Sequence, residues 1–258
     1  MEMRVAVSRS IIGYRHRHPE QTPMTTKAKC NDVTWKGHAD CSHCSVRHMV
    51  LFANLADADL DGALMPIEEM TYAPQTTLYR AGERGDHVYT IRSGLLKLFQ
   101  YLPNGTQRIV RLLRPGDVAG LEILINGTYH HGAVSIQATN VCRIPTAVLK
   151  NLDQSKPQLH RELMVRWQRS LDQADDIITL FSTGSSQARV ARLLLHLGHL
   201  PADTACNLLS REDMSALLGI TVETASRTVA DFKRRGLVKT GNGQCEYDPA
   251  GLQEIAQD

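Results

Sequence analysis

Short runs in which apolar and polar residues alternate, each closed by a glycine, occupy the chain from Met70 to about Pro145. Val88, Thr90 and Arg92 interleave with Tyr89, Ile91 and Ser93, and Leu96, Leu98 and Gln100 with Lys97, Phe99 and Tyr101. A period of two gives a strand one buried and one open face. Turn signals at Gly82, Ser93-Gly94, Asn104-Gly105, Pro115-Gly116-Asp117 and Asn126-Gly127 come at intervals that suit an all-β barrel or sandwich. After Pro157 the period changes. Leu163, Trp167, Leu171, Ala174, Ile178 and Phe181 recur at steps of three and four, with no Gly or Pro before Gly184, so one long helix is predicted over 153–184. Its apolar stripe is narrow, which suits a seam between parallel helices of a dimer better than a helix laid on its own barrel. Asp172, Asp175 and Asp176 flank that seam, and like charges there oppose association, leaving dimerisation poised.

Gly184-Ser185-Ser186 opens a smaller unit over 185–258. Ser210 is a good helix cap followed by acids; Met214, Leu217 and Leu218 form an inward face, and Gly219 ends the helix. Thr221 caps the next helix, in which Val222, Ala225, Val229 and Phe232 are expected to face inward. Two short helices across a tight glycine turn make a helix-turn-helix. The stretch LVKTGNGQCEY then predicts a β-hairpin wing. Glu223, Ser226 and Arg227 stand at i, i+3 and i+4 on the outer face, near the helix end that enters a DNA major groove. Arg227 can donate in a bidentate pair to guanine, and Glu223 can accept from cytosine while orienting the arginine. Thr221, Thr224, Arg211 and Lys233 complete the candidate DNA-binding set, with Arg234, Arg235 and Lys239 placed for phosphates. The plain alternative is a solvated helix bearing one salt bridge, but cap, turn, helix, basic end and wing all occur in order.

Composition narrows the rest. The 258 residues are 42% hydrophobic, enough for real cores, and 29 Lys and Arg against 27 Asp and Glu leave nucleic-acid binding to be argued locally. No run approaches the roughly 18 apolar residues of a membrane helix, and no export leader is legible, so a cytoplasmic protein is expected. Residues 1–28 are polar and aperiodic and read as a disordered tail. Of six cysteines, Cys30, Cys41 and Cys44 crowd into the first fifth of the chain. In a reducing compartment that favours metal or redox chemistry over structural disulfides. A lone Cys-x-x-Cys is also compatible with two small buried hydrophobes. His38, His43 and His48 surround it and read most simply as exposed loop residues, while Cys206 and Cys245 read as structural.

The segments TVETASR, YRAGERGDHVYTIRSGLLKL, LLRPGDVAG and NGTYHHG resemble the Crp/Fnr family, specifically its Fnr branch, over about residues 40–250. The resemblance implies an α+β chain: a cysteine-containing sensor segment over 29–58, a cyclic-nucleotide-binding-like β-barrel (jelly roll) over 59–152, a dimerisation helix over 153–184 and a winged helix-turn-helix over 185–258. It further implies a homodimer that reads TTGAT-like palindromes in double-stranded DNA through Glu223, Ser226 and Arg227 and contacts RNA polymerase. Relatives that bind cyclic AMP carry an acid and an Arg-Ser or Arg-Thr pair where this chain has Leu121 and His131-Gly132, so no cyclic nucleotide is expected. The Fnr branch holds an oxygen-labile [4Fe-4S] cluster with three N-terminal cysteines and one barrel cysteine. Cys41, Cys44 and Cys142 match, but Val50, Leu51 and Phe52 stand where the third N-terminal cysteine belongs. Cys30 is the candidate replacement, giving the metal set Cys30, Cys41, Cys44 and Cys142. Incomplete ligation, another metal, haem-based sensing of nitric oxide or carbon monoxide, and thiol-disulfide sensing stay open. So does an iron-sulfur or thiol redox protein of another class. The chain carries no nucleotide loop, nucleophile elbow or paired acid-base signature, so no enzyme is expected.

Overall fold

A computed structural model describes residues 32–41, 43–44, 46–55, 66–198, 209–241 and 244–258. The expected tail at 1–28, Cys30 and Cys206 lie outside the described residues. The alternating region folds as two antiparallel sheets. One has the order β1 (Val33–His38), β2 (Glu68–Tyr72), β9 (Thr139–Pro145), β4 (His87–Ser93), β7 (Val118–Ala119). The other has the order β3 (Thr77–Tyr79), β8 (Gly132–Ser135), β5 (Leu96–Tyr101), β6 (Gln107–Leu113). Both contribute to one core, Val88, Ile91 and Val141 from the first meeting Leu96, Leu98 and Ala133 from the second. Because β1 pairs with β2, part of the 29–58 segment belongs to the sheet and does not form a separate unit. At the β4–β5 turn Gly94 has φ 89°, and a Cβ there would lie 2.4 Å from the Ala138 carbonyl oxygen, so no other residue fits.

Alternation does not translate into one open face everywhere. Val88, Tyr89, Thr90 and Ile91 are all buried on β4, and Leu96, Lys97 and Leu98 on β5. Both strands are covered from outside as well. The segment that follows the Cys-x-x-Cys packs Leu51, Phe52 and Leu55 into the barrel core. The C-terminal domain, in turn, takes Leu95 and Ile109 of the barrel into its own core.

After α1 (Ile123–Asn126) and α2 (Thr146–Ser155), Lys156 is extended (φ −133°) and Pro157 starts α3 (Pro157–Thr179). Pro at the first helical position loses no hydrogen bond there. The predicted helix over 153–184 is therefore divided at Lys156 and stops short of Gly184. The predicted seam is corrected too. Leu163 is buried with Leu159 in the barrel core, and Phe181, beyond the end of α3, is buried in the C-terminal core. Trp167 packs partly on the barrel and Ala174 is half-buried. What α3 turns outward is Met164, Leu171 and Ile178, seven residues apart, with Leu171 60% and Ile178 64% exposed. A helix with one face on its own barrel can offer a partner only the opposite face, which a count of apolar steps does not distinguish.

The C-terminal domain is α4 (Ser186–Gly198), α5 (Arg211–Leu218), α6 (Val222–Arg234), the hairpin β10 (Val238–Gly241) and β11 (Gln244–Tyr247), and α7 (Pro249–Ala256). Its core gathers Leu193, Leu194, Met214, Leu217, Leu218, Val229, Phe232 and Leu252. Among the described residues no helix is long and apolar enough to cross a membrane.

Candidate DNA-reading face and thiol cavity

The Ser210 hydroxyl accepts from the Asp213 N–H at 3.0 Å and the Thr221 hydroxyl from the Thr224 N–H at 3.1 Å, so both helices begin at the caps the sequence predicts. Gly219 takes φ 64° and closes α5. Ala225, Thr228, Val229 and Phe232 face the core; Val222, expected there, is 40% exposed at the first turn. With that face buried, Glu223, Ser226 and Arg227 are all on the open side. The Arg227 guanidinium lies 3.7 Å from the Glu223 carboxylate, with both side chains more than two-thirds exposed. An exposed pair of this kind contributes little to stability, so it is available to turn toward a ligand. Lys233 donates to the Thr240 hydroxyl at 3.0 Å and ties the far end of α6 to the hairpin. Arg211 is half-buried, leans on the Met214 sulfur at 3.4 Å, and its guanidinium is pushed down by burial, so it is less freely presented than the α6 set.

This domain does not stand apart from the barrel. Lys97 on β5 and Asp213 on α5 form a buried ion pair. Arg108 on β6 donates to the Ser182 hydroxyl at 3.3 Å and passes close to Gly219, where a Cβ would lie 2.6 Å from its guanidinium. Neither Lys97 nor Arg108 was legible beforehand, since each looks like the solvent-facing residue of an alternating strand.

The second site is a cavity at the outer face of the first sheet, lined by Cys41, Cys44, Arg47, Val50, Phe52, Ile67, Thr90, Cys142 and Ile144. Cys142 enters it from β9, which pairs with Glu69 on β2 and Thr90 on β4 at that position. Burial pushes the Cys142 thiol up to about 12; Cys41 and Cys44 add to the shift and the nearby Arg92 guanidinium opposes it. Burial likewise raises Cys41, with Cys44 adding and Arg47 and Arg92 opposing. Three of the four predicted thiols thus share one apolar pocket with cations at its edge. Val50, at the place of the missing cysteine, lines the same pocket. Cys30 lies outside the described residues, and Cys245 is on the wing hairpin. His38, His43 and His48 are exposed and do not line the cavity; His43 pairs with Asp40 at 2.9 Å. Among the described residues no three His, Cys, Asp or Glu side chains converge tightly enough to hold a single metal ion. Thiolates are the ligand type that iron-sulfur clusters take, and Cys41, Cys44 and Cys142 supply three of them to one pocket.

Inside the barrel, Leu121 is buried in the core and a Cβ on Gly132 would lie 2.5 Å from the Phe99 ring. The Tyr129 ring stacks on Tyr79 at 3.8 Å, and its hydroxyl donates to the His87 carbonyl at 2.6 Å. The His131 ring lies 3.6 Å from the Glu122 carboxylate.

Residues 69–156 match the family described as cyclic nucleotide-binding domain, and residues 188–255 match the Crp-like helix-turn-helix domain. The nitrogen fixation regulation protein FixK of Bradyrhizobium diazoefficiens is 28% identical over 84% of this chain and 93% of its own length. The transcriptional activator protein Anr of Pseudomonas aeruginosa is 28% identical over 78% of this chain and 85% of its own. The solved structure of FixK2 from Bradyrhizobium japonicum superposes with a TM-score of 0.66 at 25% identity, covering 73% of this chain and 96% of that one. With both domains matched in this order, and the long helix between them, the chain belongs to the Crp/Fnr family of DNA-binding transcription regulators.

Proposed function

We propose that this regulator senses oxygen or redox state through Cys41, Cys44 and Cys142, and passes the state to a dimer that reads a palindrome with Glu223, Ser226 and Arg227. The observation that carries the reading is the shared cavity: Cys142 is separated by about a hundred residues from the Cys-x-x-Cys, yet all three line one pocket. A relative named anaerobic regulatory protein, from Aggregatibacter actinomycetemcomitans and 25% identical over 77% of this chain, supports it. Cys41, Cys44 and Cys142, with Cys30 as fourth thiolate, would hold a [4Fe-4S] cluster. Such a cluster supplies reactivity toward dioxygen when it is bound. The chain's own part is to keep the thiols together under Phe52 and Ile67, away from bulk water, with Arg47 and Arg92 offsetting thiolate charge. The same setting makes ligation proton-linked, because each thiol must give up its proton to bind. Leu121 and His131-Gly132 stand where relatives that bind cyclic AMP carry an acid and an Arg-Ser or Arg-Thr pair, which supports the reading that no cyclic nucleotide is the signal. The protein works where the chromosome is, in the cytoplasm, and contacts RNA polymerase there.

Anaerobic reconstitution followed by iron and acid-labile sulfide measurement tests the thiols. Cys142→Ala should lose nearly all bound iron and sulfide; iron content equal to wild type would remove Cys142 from the ligand set. A Soret band in the purified protein would transfer sensing to haem. Dimerisation is tested on the corrected face: Leu171→Glu sets a charge in the centre of the exposed stripe and should weaken self-association by about a hundredfold. Sedimentation equilibrium reads this directly, and an unaltered dimer would place the subunit contact elsewhere.

A further inference from the structure

We propose that Arg166 is a positioning residue that ties the cysteine-bearing segment to the dimer helix, so that the state of the thiols is felt at the subunit seam; the inference rests on the thiol-sensing reading above. Arg166 lies on α3 and is 4% exposed, an unusual place for a guanidinium. Its Nη2 donates to the Met49 carbonyl at 2.9 Å and to the Val50 carbonyl at 3.1 Å, and Glu162, one turn back, faces it at 3.5 Å. Those carbonyls close the short 3-10 turn Arg47–Met49, which begins three residues after Cys44. Buried carbonyls need donors; the Val50 carbonyl also accepts from the Ala53 N–H at 3.1 Å, while the Met49 carbonyl takes its bond from Arg166 on α3.

Two further ties point the same way. Glu162 also accepts from the Asn54 side-chain amide, and Arg47, which lines the thiol cavity, closes the loop by donating to the Leu55 carbonyl at 2.9 Å. Residues 46–55 are therefore bound to α3 through Met49, Val50 and Asn54 and line the thiol pocket through Arg47, Val50 and Phe52. At about 100° per residue, Arg166 and Met164 point to opposite sides of the helix. The guanidinium that grips the cysteine segment and the apolar stripe offered to a partner are back to back on one rod. Both bonds leave one nitrogen, Nη2, whose two N–H directions are fixed in the guanidinium plane; a lysine ammonium on a flexible stem does not hold those directions.

The test uses the full chain as wild type, Arg166→Met and Arg166→Lys. Without cofactor, amide hydrogen exchange over 46–55 and maleimide labelling of Cys41 and Cys44 should both accelerate about tenfold in Arg166→Met, with Arg166→Lys only partly restored. The dimer dissociation constant is then measured with free thiols and after anaerobic reconstitution with iron and sulfide. Wild type should respond to loading and Arg166→Met should not. A wild type that fails to respond sinks the sensing reading, and the labelling arm then judges Arg166 by itself. A response of equal size in wild type and Arg166→Met, or labelling at the wild-type rate, overturns the role given to Arg166. Should Arg166→Met not fold, Asn54→Ala severs the exposed tie and must accelerate labelling in the same direction; no acceleration there overturns the proposal equally.

Discussion

Arg227→Ala will bind a palindromic site about 1 to 3 kcal/mol more weakly per half-site, and will lose its preference at one base pair of each half. Both half-sites change in a dimer, so the measured loss is about twice the single-site figure. The size follows from how the side chain is held. Thr221 starts α6, the buried face of Ala225, Val229 and Phe232 fixes its rotation, and Glu223 keeps the guanidinium near the N-terminal end. Little of this is lost on truncation, because the pair is exposed and stabilises the fold only slightly. Binding to unrelated DNA should stay near wild type, since Lys233, Arg234 and Arg235 supply charge that is indifferent to sequence. Titrations against the cognate site, single-base variants and random duplex at one fixed salt concentration decide it. Equal losses on all duplexes would make Arg227 a phosphate contact.

Asp213→Ala carries the largest expected stability loss, about 3 to 5 kcal/mol, because it leaves the Lys97 ammonium buried without its partner. Lys97 and Asp213 are 8% and 4% exposed, so neither end of the pair reaches water. The double variant Lys97→Met with Asp213→Leu should recover most of the loss, since two apolar side chains of similar bulk need no partner. Denaturant unfolding of the three proteins measures both effects. A single variant as stable as wild type would mean that water reaches the pair in solution. The double variant has a further use: it keeps the domains folded while removing the polar link between β5 and α5, so any change in its DNA affinity reports on that link.

The DNA-reading half was legible in advance because its signals are local. Ser210, Gly219 and Thr221 each act within one helical turn, and the inward face of α6 follows from a 3.6-residue period. Only Val222 departs, at the first turn where the neighbouring core does not reach. The barrel was legible in kind, since turn glycines such as Gly94 are required by backbone conformation. What was not legible depends on what covers a surface. Lys97 reads as the open face of a strand until the C-terminal domain is laid over it. Leu163 and Phe181 read as a seam until each is claimed by a core in its own subunit. Arg166 reads as an ordinary charged helix residue until two distant carbonyls are brought to it. The cysteines fall between these cases: pairing Cys41 and Cys44 with Cys142 needed the resemblance, and Val50, where the resemblance expects a further cysteine, lines the same pocket.

The seven-residue spacing of Met164, Leu171 and Ile178 has a bearing on how the two halves of the molecule are phased. Since seven residues fall about 20° short of two full turns, two such stripes stay in register only by winding round one another left-handedly. The rod thereby sets an angle between barrel and reading head as well as a distance. One residue added between Leu171 and Ile178 would turn everything beyond it by about 100° relative to the barrel. Leu95 and Ile109 of the barrel would be drawn out of the C-terminal core, and the two reading heads of the pair could no longer meet successive grooves on the same side of a duplex.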